Sequence, residues 1–222
     1  MIGVQLSGKW IIVVILIGTP LVKLWLLYIY PKVIMPLSAT FTDIPQETDE
    51  EKNLVARINA LAKRVKFDAK HIVLEETIDA DMHSNASCVF GRVHIGDQLL
   101  KHHKGNEAEI LSILAHEFGH WKKNHLMKTL IIDMTQSFFT GILLMFFVND
   151  VAFLTSFKFK HESFAMSVFM IVTVYDTSIS EIIGFFERWL SRRHEKEADE
   201  YAVELGYGEF LYAALIRNQK EN

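Results

Sequence analysis

Residues 106–125 read NEAEILSILAHEFGHWKKNH, and this stretch decides most of what the sequence predicts. Asn106 is a favoured residue type at a helix N-cap and Glu109 follows three positions later, so a helix is predicted to begin here. Within that helix, His116 and His120 are four residues apart. Residues at this spacing project from one helix face, one turn apart. Two imidazoles can therefore reach the same metal ion.

Glu117, which follows His116, suggests a catalytic role for this metal site. Glu117 lies on the adjoining face of the helix, from which it can reach a water molecule bound to the metal. His116-Glu117-Phe118-Gly119-His120 is thus the H-E-x-x-H arrangement of zinc metalloproteases, in which the glutamate is the general base. The pattern predicts one Zn²⁺ per chain. The alternative is a pair of surface histidines on an amphipathic helix.

A third ligand is needed, because a catalytic zinc takes three protein ligands and leaves one position open. The best candidate region is SRRHEKEAD at residues 191–199. Glu195 and Asp199 share a helix face there, so Glu195 could bind zinc. Asp199 could accept a hydrogen bond from the free N–H of a ligating histidine. His194 is an alternative ligand, although it points about 100° away from Glu195 on a helix. A charged helix end of this kind could also be a solvated face.

Composition narrows the class of protein. Half of the 222 residues are apolar, and the formal net charge is −4. This mild charge, without a long basic run, gives no reason to expect a nucleic-acid partner. Cys88 is the single cysteine of the chain, which excludes an intrachain disulfide and a cysteine-based zinc cage.

Three apolar stretches occupy residues 10–30, 126–148 and 164–190. About 20 residues suffice to cross a bilayer, so each stretch predicts a transmembrane helix. The first has no small-residue cleavage site of the signal-peptide type. Long amphipathic helices of a soluble core are the alternative for the other two. Acids inside a span must face protein or a wet cavity. A water-filled interior is therefore predicted around Asp133, Asp176 and Glu181.

The polar region between the first two stretches predicts mixed local structure. TDEE at 48–51 is typical of a capping box, and apolar residues over 54–65 recur at helical spacing. Residues 72–74 predict a short strand. Residues 87–95 predict a hairpin that turns at Gly91-Arg92.

These elements predict a mainly α fold of multi-pass membrane helices, with a zinc-protease helical domain and a small β-hairpin. We expect a transmembrane helix and exit, a protease domain with the HExxH helix, two transmembrane helices, and a helix carrying the third zinc ligand. Their predicted bounds are 1–35, 36–125, 126–190 and 191–222, respectively.

The predicted topology places both halves of the metal site on one side of the membrane. Two crossings after His125 return Glu195 to the side of His116. Basic residues are concentrated near the span ends on that side: Lys122, Lys123, Lys128, Arg188, Arg192, Arg193 and Lys196. The loop on the opposite side, residues 149–163, has only two basic residues, Lys158 and Lys160. The positive-inside rule therefore predicts that the active site faces the cytosol.

Four stretches resemble the type I CaaX prenyl proteases, the membrane-embedded zinc proteases that process prenylated CaaX proteins. They are IYP at 29–31 running on to MPL at 35–37, HSNA at 83–86, HEFGH at 116–120, and SRR at 191–193 with Glu195, Ala198 and Asp199. Their order and spacing match the family along nearly the whole chain. The resemblance implies that His116, His120 and Glu195 bind zinc. It implies Glu117 as catalytic base and Asp199 as the residue that orients a ligating histidine.

The resemblance also implies a substrate and a location. An edge strand around Asn85 and Ala86 would bind the substrate peptide, a prenylated CaaX protein cut after its lipidated cysteine. The expected location is the endoplasmic reticulum membrane, with a large chamber enclosed within the bilayer. The family has about seven spans and three are predicted here, so we expect a truncated member. A membrane quality-control zinc protease and a zinc-binding pseudoprotease are the alternatives. The oligomeric state is left open.

Overall fold

The computed structural model describes Trp10 and residues 17–26, 28–30, 33, 37, 40–76, 86–89, 91–148, 150–158, 164–175 and 179–221. The chain divides into two compact units. The first, here the apolar unit, comprises Met1–Ile29 and Met127–Ser191. The second, here the site unit, comprises Tyr30–Leu126 and Arg192–Asn222.

The described elements follow one another in the order α1, β1, α2, β2, β3, β4 and α3 to α9. Their bounds are Ile17–Leu26 (α1), Thr40–Thr42 (β1), Asp49–Val65 (α2), Ile72–Glu76 (β2), Ala86–Val89 (β3), Arg92–Gly96 (β4), Asp97–His102 (α3), Glu107–Lys122 (α4), His125–Phe147 (α5), Val151–Ser156 (α6), Phe164–Val174 (α7), Ser180–Glu204 (α8) and Gly208–Glu221 (α9). A 3-10 turn at Ala69–His71 precedes β2. The fold is mainly helical, as predicted.

Helix α2 begins at the predicted capping box. The Glu51 backbone N–H donates to Thr48 Oγ1 at 3.2 Å, and the Thr48 N–H donates to Glu51 Oε2 at 3.0 Å. Two donors at the helix start are thereby satisfied. The buried face of the helix consists of predicted apolar positions: Leu54, Ile58, Leu61, Ala62 and Val65.

The predicted hairpin is confirmed, but it is part of a larger sheet. Strands β3 and β4 pair antiparallel, with Gly91 at φ +74° in the turn. β4 also pairs in parallel with β2, and β2 pairs antiparallel with β1, which gives the order β1-β2-β4-β3. Strand β1 was not predicted, because three residues are too few to show an alternating pattern. Among the described strands, β3 lies at one end of the sheet.

Helix α4 forms the centre of the site unit. It contacts β3, α2 and α9, and it is buried along most of its length. Phe118 is fully buried and its ring lies 5.0 Å from that of Phe67. A helix that is apolar on nearly all sides must be enclosed by other elements. The metal motif therefore lies on a rigid, packed helix.

The predicted division between residues 190 and 191 lies inside a helix. A single helix, α8, runs from Ser180 to Glu204, so the helix that carries Glu195 begins inside the predicted third span. The polarity of the sequence changes near Leu190, but no proline interrupts the helix there. The predicted segment 191–222 also contains a second helix, α9, which begins two residues after Gly206 at φ +90°.

The apolar unit contains α5 from Met127 onward, and this helix is long and apolar enough to cross a membrane by length and composition. Helices α1 and α7 are apolar but shorter, so of the described helices α5 alone combines that length with that hydropathy. Lys23 donates to Ser137 at 3.1 Å and forms an ion pair with Asp133 at 3.4 Å. These side chains line a polar cleft of about 440 Å³, an environment that suits an acid in a predicted span. Glu181 is exposed, and Asp176 lies outside the described residues.

Candidate active site

Three candidate ligand atoms converge between α4 and α8. His116 Nε2 lies 3.1 Å from His120 Nε2 and 3.4 Å from Glu195 Oε2. His120 Nε2 lies 3.7 Å from the same carboxylate oxygen. Ligands at 2.0–2.1 Å from a tetrahedral ion are separated by about 3.3 Å. In the part of the chain that the structure describes, these three residues form the one cluster of histidines and acids with metal-binding spacing.

The hydrogen bonds around His116 fit a bound cation. Its Nδ1 donates to Asp199 Oδ1 at 2.8 Å, which leaves the lone pair of Nε2 directed at the cluster. Burial and the neighbouring His116 lower the pKa of His120, which favours its neutral, metal-binding form. Unprotonated nitrogens and a carboxylate repel one another at these distances unless a positive charge lies among them. The residues therefore fit a divalent metal.

Gly119 allows the two helices of the site to approach closely. A Cβ atom built on Gly119 would lie 2.8 Å from the Ala198 Cα and 3.0 Å from the Ala198 carbonyl oxygen. Only a residue without a side chain fits against backbone at that distance. Gly119 precedes His120, and Ala198 lies between Glu195 and Asp199 in sequence. This contact thus sets the separation between the histidine pair and the two carboxylates.

We expect Gly119→Ala to weaken metal binding at least tenfold and to lower stability by about 1–3 kcal/mol, the usual effect of overpacking. The added methyl group must push α8 away from α4 and thereby separate the ligands. Zinc affinity and thermal unfolding of the purified protein measure the two effects. The matched control is Gly18→Ala in α1, where the Cβ meets no atom within 4 Å. Wild-type zinc affinity in Gly119→Ala would contradict this role.

Glu117 is held beside the metal cluster by the sheet. The backbone N–H of Cys88 in β3 donates to Glu117 Oε2 at 2.9 Å. Burial raises the pKa of Glu117 to about 8, and the nearby Glu195 acts in the same direction while the Cys88 N–H opposes it. A cation bound next to the carboxyl group would favour its ionised form. The position and the proton affinity of Glu117 suit a general base.

Cys88 itself lacks the properties of a nucleophile. Burial, with a contribution from Glu117, raises the pKa of the thiol to about 12. The thiolate is the reactive form of cysteine, and it is scarce far below the pKa. Cys88 therefore contributes its backbone to the site and not its sulfur.

The predicted substrate strand is described in part. Ala86 begins β3, the strand at the end of the described sheet, and its side chain is buried. Asn85 lies outside the described residues. Helix α4 packs against β3, so the edge strand adjoins the helix of the metal motif. The binding role of both residues stays a prediction.

His103 and His125, two histidines outside the H-E-x-x-H motif, are buried. His103 is inaccessible, and its Nδ1 lies 2.7 Å from Glu109 Oε2. Glu109 also accepts from Arg217 Nη2 at 3.0 Å, and Asn106 is an N-cap without a side-chain cap bond. The predicted helix start is confirmed, since Asn106 is the N-cap of α4, but the Asn106 side chain forms no cap hydrogen bond. Glu109 instead binds Arg217 of α9, which is distant in sequence.

His125 is the second buried histidine, with only 4% of its surface exposed. Its Nδ1 lies 2.9 Å from His120 Nδ1, and its Nε2 lies 3.2 Å from Glu197 Oε2. His194 stacks on His125 with ring centroids 4.1 Å apart, and it is not part of the metal-binding cluster of the described residues. These contacts were not predicted, because His125 and Glu197 are 72 residues apart in sequence.

Known proteins are similar to this chain over most of its length. Over 226 residues the chain is 30% identical to the CAAX prenyl protease 1 homolog of Arabidopsis thaliana, covering 99% of this chain and 51% of the relative. It is 32% identical to the probable CAAX prenyl protease 1 of Schizosaccharomyces pombe, covering 87% of this chain and 40% of the relative. The crystal structure of S. mikatae Ste24p matches with a TM-score of 0.76 and 27% identity, over 95% of this chain and 52% of that chain.

The chain thus spans about half the length of the relatives it matches. These matches confirm the resemblance predicted from the motifs. The model of peptidase family M48 matches residues 48–217, which include every residue of the metal cluster. The chain belongs to peptidase family M48.

Proposed function

We propose that this chain is a zinc-dependent membrane endopeptidase that removes the C-terminal tripeptide of prenylated CaaX proteins. The observation that carries the proposal is the convergence of His116 Nε2, His120 Nε2 and Glu195 Oε2 beside the Glu117 carboxyl group. The names of the relatives from Arabidopsis thaliana and Schizosaccharomyces pombe support the substrate class.

The ligand set favours zinc among divalent metals. Two imidazoles and one carboxylate, with a fourth position open, are typical of catalytic zinc in peptidases. His116, His120 and Glu195 would hold the ion, and Asp199 would orient His116 through the Nδ1 hydrogen bond of 2.8 Å. When bound, zinc polarises a peptide carbonyl and acidifies water.

Glu117 would carry out the proton transfers. Its Oε2 accepts from the Cys88 N–H, which leaves Oε1 to accept a proton from the attacking water. The same atom then returns that proton to the nitrogen of the leaving amine. The raised proton affinity of this carboxyl group makes it an effective base once it is ionised.

The substrate peptide would add to the sheet at β3. An extended peptide can pair with the backbone of an exposed sheet edge, as in other cases of strand addition. Asn85 and Ala86 would supply that backbone, and Cys88, two residues after Ala86, contacts Glu117. The scissile bond would then lie close to the base. We place the protein in the endoplasmic reticulum membrane, with segments 1–35 and 126–190 in the bilayer and the site facing the cytosol.

Cleavage of a defined lipopeptide tests the proposal. We expect the purified chain in detergent to cut a farnesylated CaaX peptide after the lipidated cysteine, to lose activity with a chelator, and to regain it with zinc. Cleavage that survives complete metal removal would contradict the proposal. Equal cleavage of the unlipidated peptide would favour a quality-control protease. Bound zinc without cleavage would favour a zinc-binding pseudoprotease.

A further inference from the structure

Besides the contact between Asp199 and His116, a chain of hydrogen bonds links the Glu197 carboxylate to His120 through His125. His120 Nδ1 lies 2.9 Å from His125 Nδ1, and His125 Nε2 lies 3.2 Å from Glu197 Oε2. Glu197 is in turn held by Arg193, whose Nε donates to Oε1 at 2.9 Å. The ring of His125 is buried and stacks on His194 with an interplanar angle of 10°. Both His125 and Glu197 are therefore held in place by neighbouring side chains.

The turn between α4 and α5 makes the first of these contacts possible. In a continuous helix, residues five apart point about 140° away from each other. His120 and His125 have this spacing, but α4 ends at Lys122 and Asn124 lies in the left-handed region at φ +55°. Asparagine tolerates that conformation better than most residues. The turn directs His125 back onto the helix of the metal motif.

The chemistry of the partners assigns a direction to each hydrogen bond. The Glu197 carboxylate can only accept, so His125 donates through Nε2–H. A neutral imidazole carries a single N–H, which makes His125 Nδ1 an acceptor for the Nδ1–H of His120. The lone pair of His120 Nε2 is then directed at the cluster, at 3.1 Å from His116 Nε2.

We propose that His125 and Glu197 are positioning residues that orient His120 for metal binding. Asp199 performs the same task for His116 by direct contact, at 2.8 Å. Each histidine of the motif is thus oriented by a carboxylate, one directly and one through an intervening imidazole. Outer partners of this kind set the tautomer and ring angle of metal-bound histidines. The inference rests on the metal site of the proposed function.

Three substitutions test the proposal through zinc affinity of the full chain, measured by chelator competition without any peptide. His125→Phe keeps a ring that can stack on His194 but removes Nδ1, and we expect it to bind zinc about 10–100-fold more weakly. His125→Asn places an amide oxygen near the former Nδ1 position and should restore most of the affinity. The control is His102→Phe, the same change at an exposed residue.

The absorption spectrum of the Co²⁺-substituted protein supplies a readout that a packing role would not change. We expect shifted ligand-field bands in His125→Phe and wild-type bands in His125→Asn. Glu197→Ala should weaken zinc binding in the same direction, because His125 loses the acceptor that sets its tautomer. Wild-type affinity and spectrum in His125→Phe would overturn the proposal. Equal losses in His125→Phe and His125→Asn would overturn it as well, since packing alone would then explain them.

The experiment separates this inference from the proposed function. A wild-type chain that binds zinc tightly but cleaves no peptide contradicts the function, and the affinities of the variants still decide the role of His125. A wild-type chain that binds no zinc overturns both.

Discussion

Glu117→Gln is expected to lower the rate of peptide hydrolysis by about 10²–10⁴-fold, while the protein still binds one zinc ion. Glutamine has the same shape as glutamate, and its amide oxygen can still accept the hydrogen bond from the Cys88 N–H. In the wild-type protein this N–H lies 2.9 Å from Glu117 Oε2. The amide cannot take a proton from water, so the substitution removes the chemistry and preserves the packing. Initial rates on a farnesylated peptide and zinc content measured on the same sample check both parts.

The control for this variant lies on the same helix. Glu107→Gln changes an acid in the first turn of α4 that binds Arg57 at 2.7 Å, and it should leave hydrolysis unchanged. A Glu117→Gln protein that retained both zinc and the wild-type rate would exclude Glu117 as the base. Loss of zinc from this variant would instead assign Glu117 to the ligand set.

Removal of the third ligand should have the second large effect. Loss of a residue that only hydrogen-bonds to a metal ligand weakens metal binding by roughly 10–100-fold. We expect Glu195→Ala to weaken zinc binding by more than this. In the proposed site, Glu195 supplies one of three ligand atoms and the single negative charge among them. Its side chain is 57% exposed, so its truncation leaves no buried cavity, and the fold should persist. Chelator competition gives the affinity, and thermal unfolding of the metal-free protein checks the fold.

A neighbouring acid on α8 provides the comparison. Glu200→Ala removes an exposed carboxylate that pairs with Lys196 at 3.7 Å, and its zinc affinity should equal that of the wild type. If Glu195→Ala kept its affinity and His194→Ala lost it, the ligand would be His194. That outcome would overturn the assignment.

Local patterns predicted the parts of the site that lie close together in sequence. The spacing of His116 and His120 determines that both lie on one helix face, whatever surrounds the helix. The capping box at Thr48 and the hairpin turn at Gly91 are likewise properties of a few adjacent residues. Glu195 and Asp199 were found because four-residue spacing again places two carboxylates on one face. Their contacts with the histidines of the motif depend on how α4 and α8 pack together.

Contacts between distant segments could not be predicted in this way. The fit of Gly119 against Ala198 depends on the separation of two helices. The position of Glu117 depends on one backbone N–H of the strand that contains Cys88. The buried His125 contacts Glu197, which is 72 residues away, and the residues around His125 do not indicate that partner.

The sequence by itself determined which functional groups the site contains. These are two imidazoles and a carboxyl group on one helix, and two further carboxylates on another. Periodicity and residue type suffice for that, because they act within a few turns of the chain. Only the tertiary structure decided how these groups meet and which other residues hold them. Those contacts depend on close packing between α4, α8 and β3, where shifts of less than one ångström decide whether ligand atoms converge.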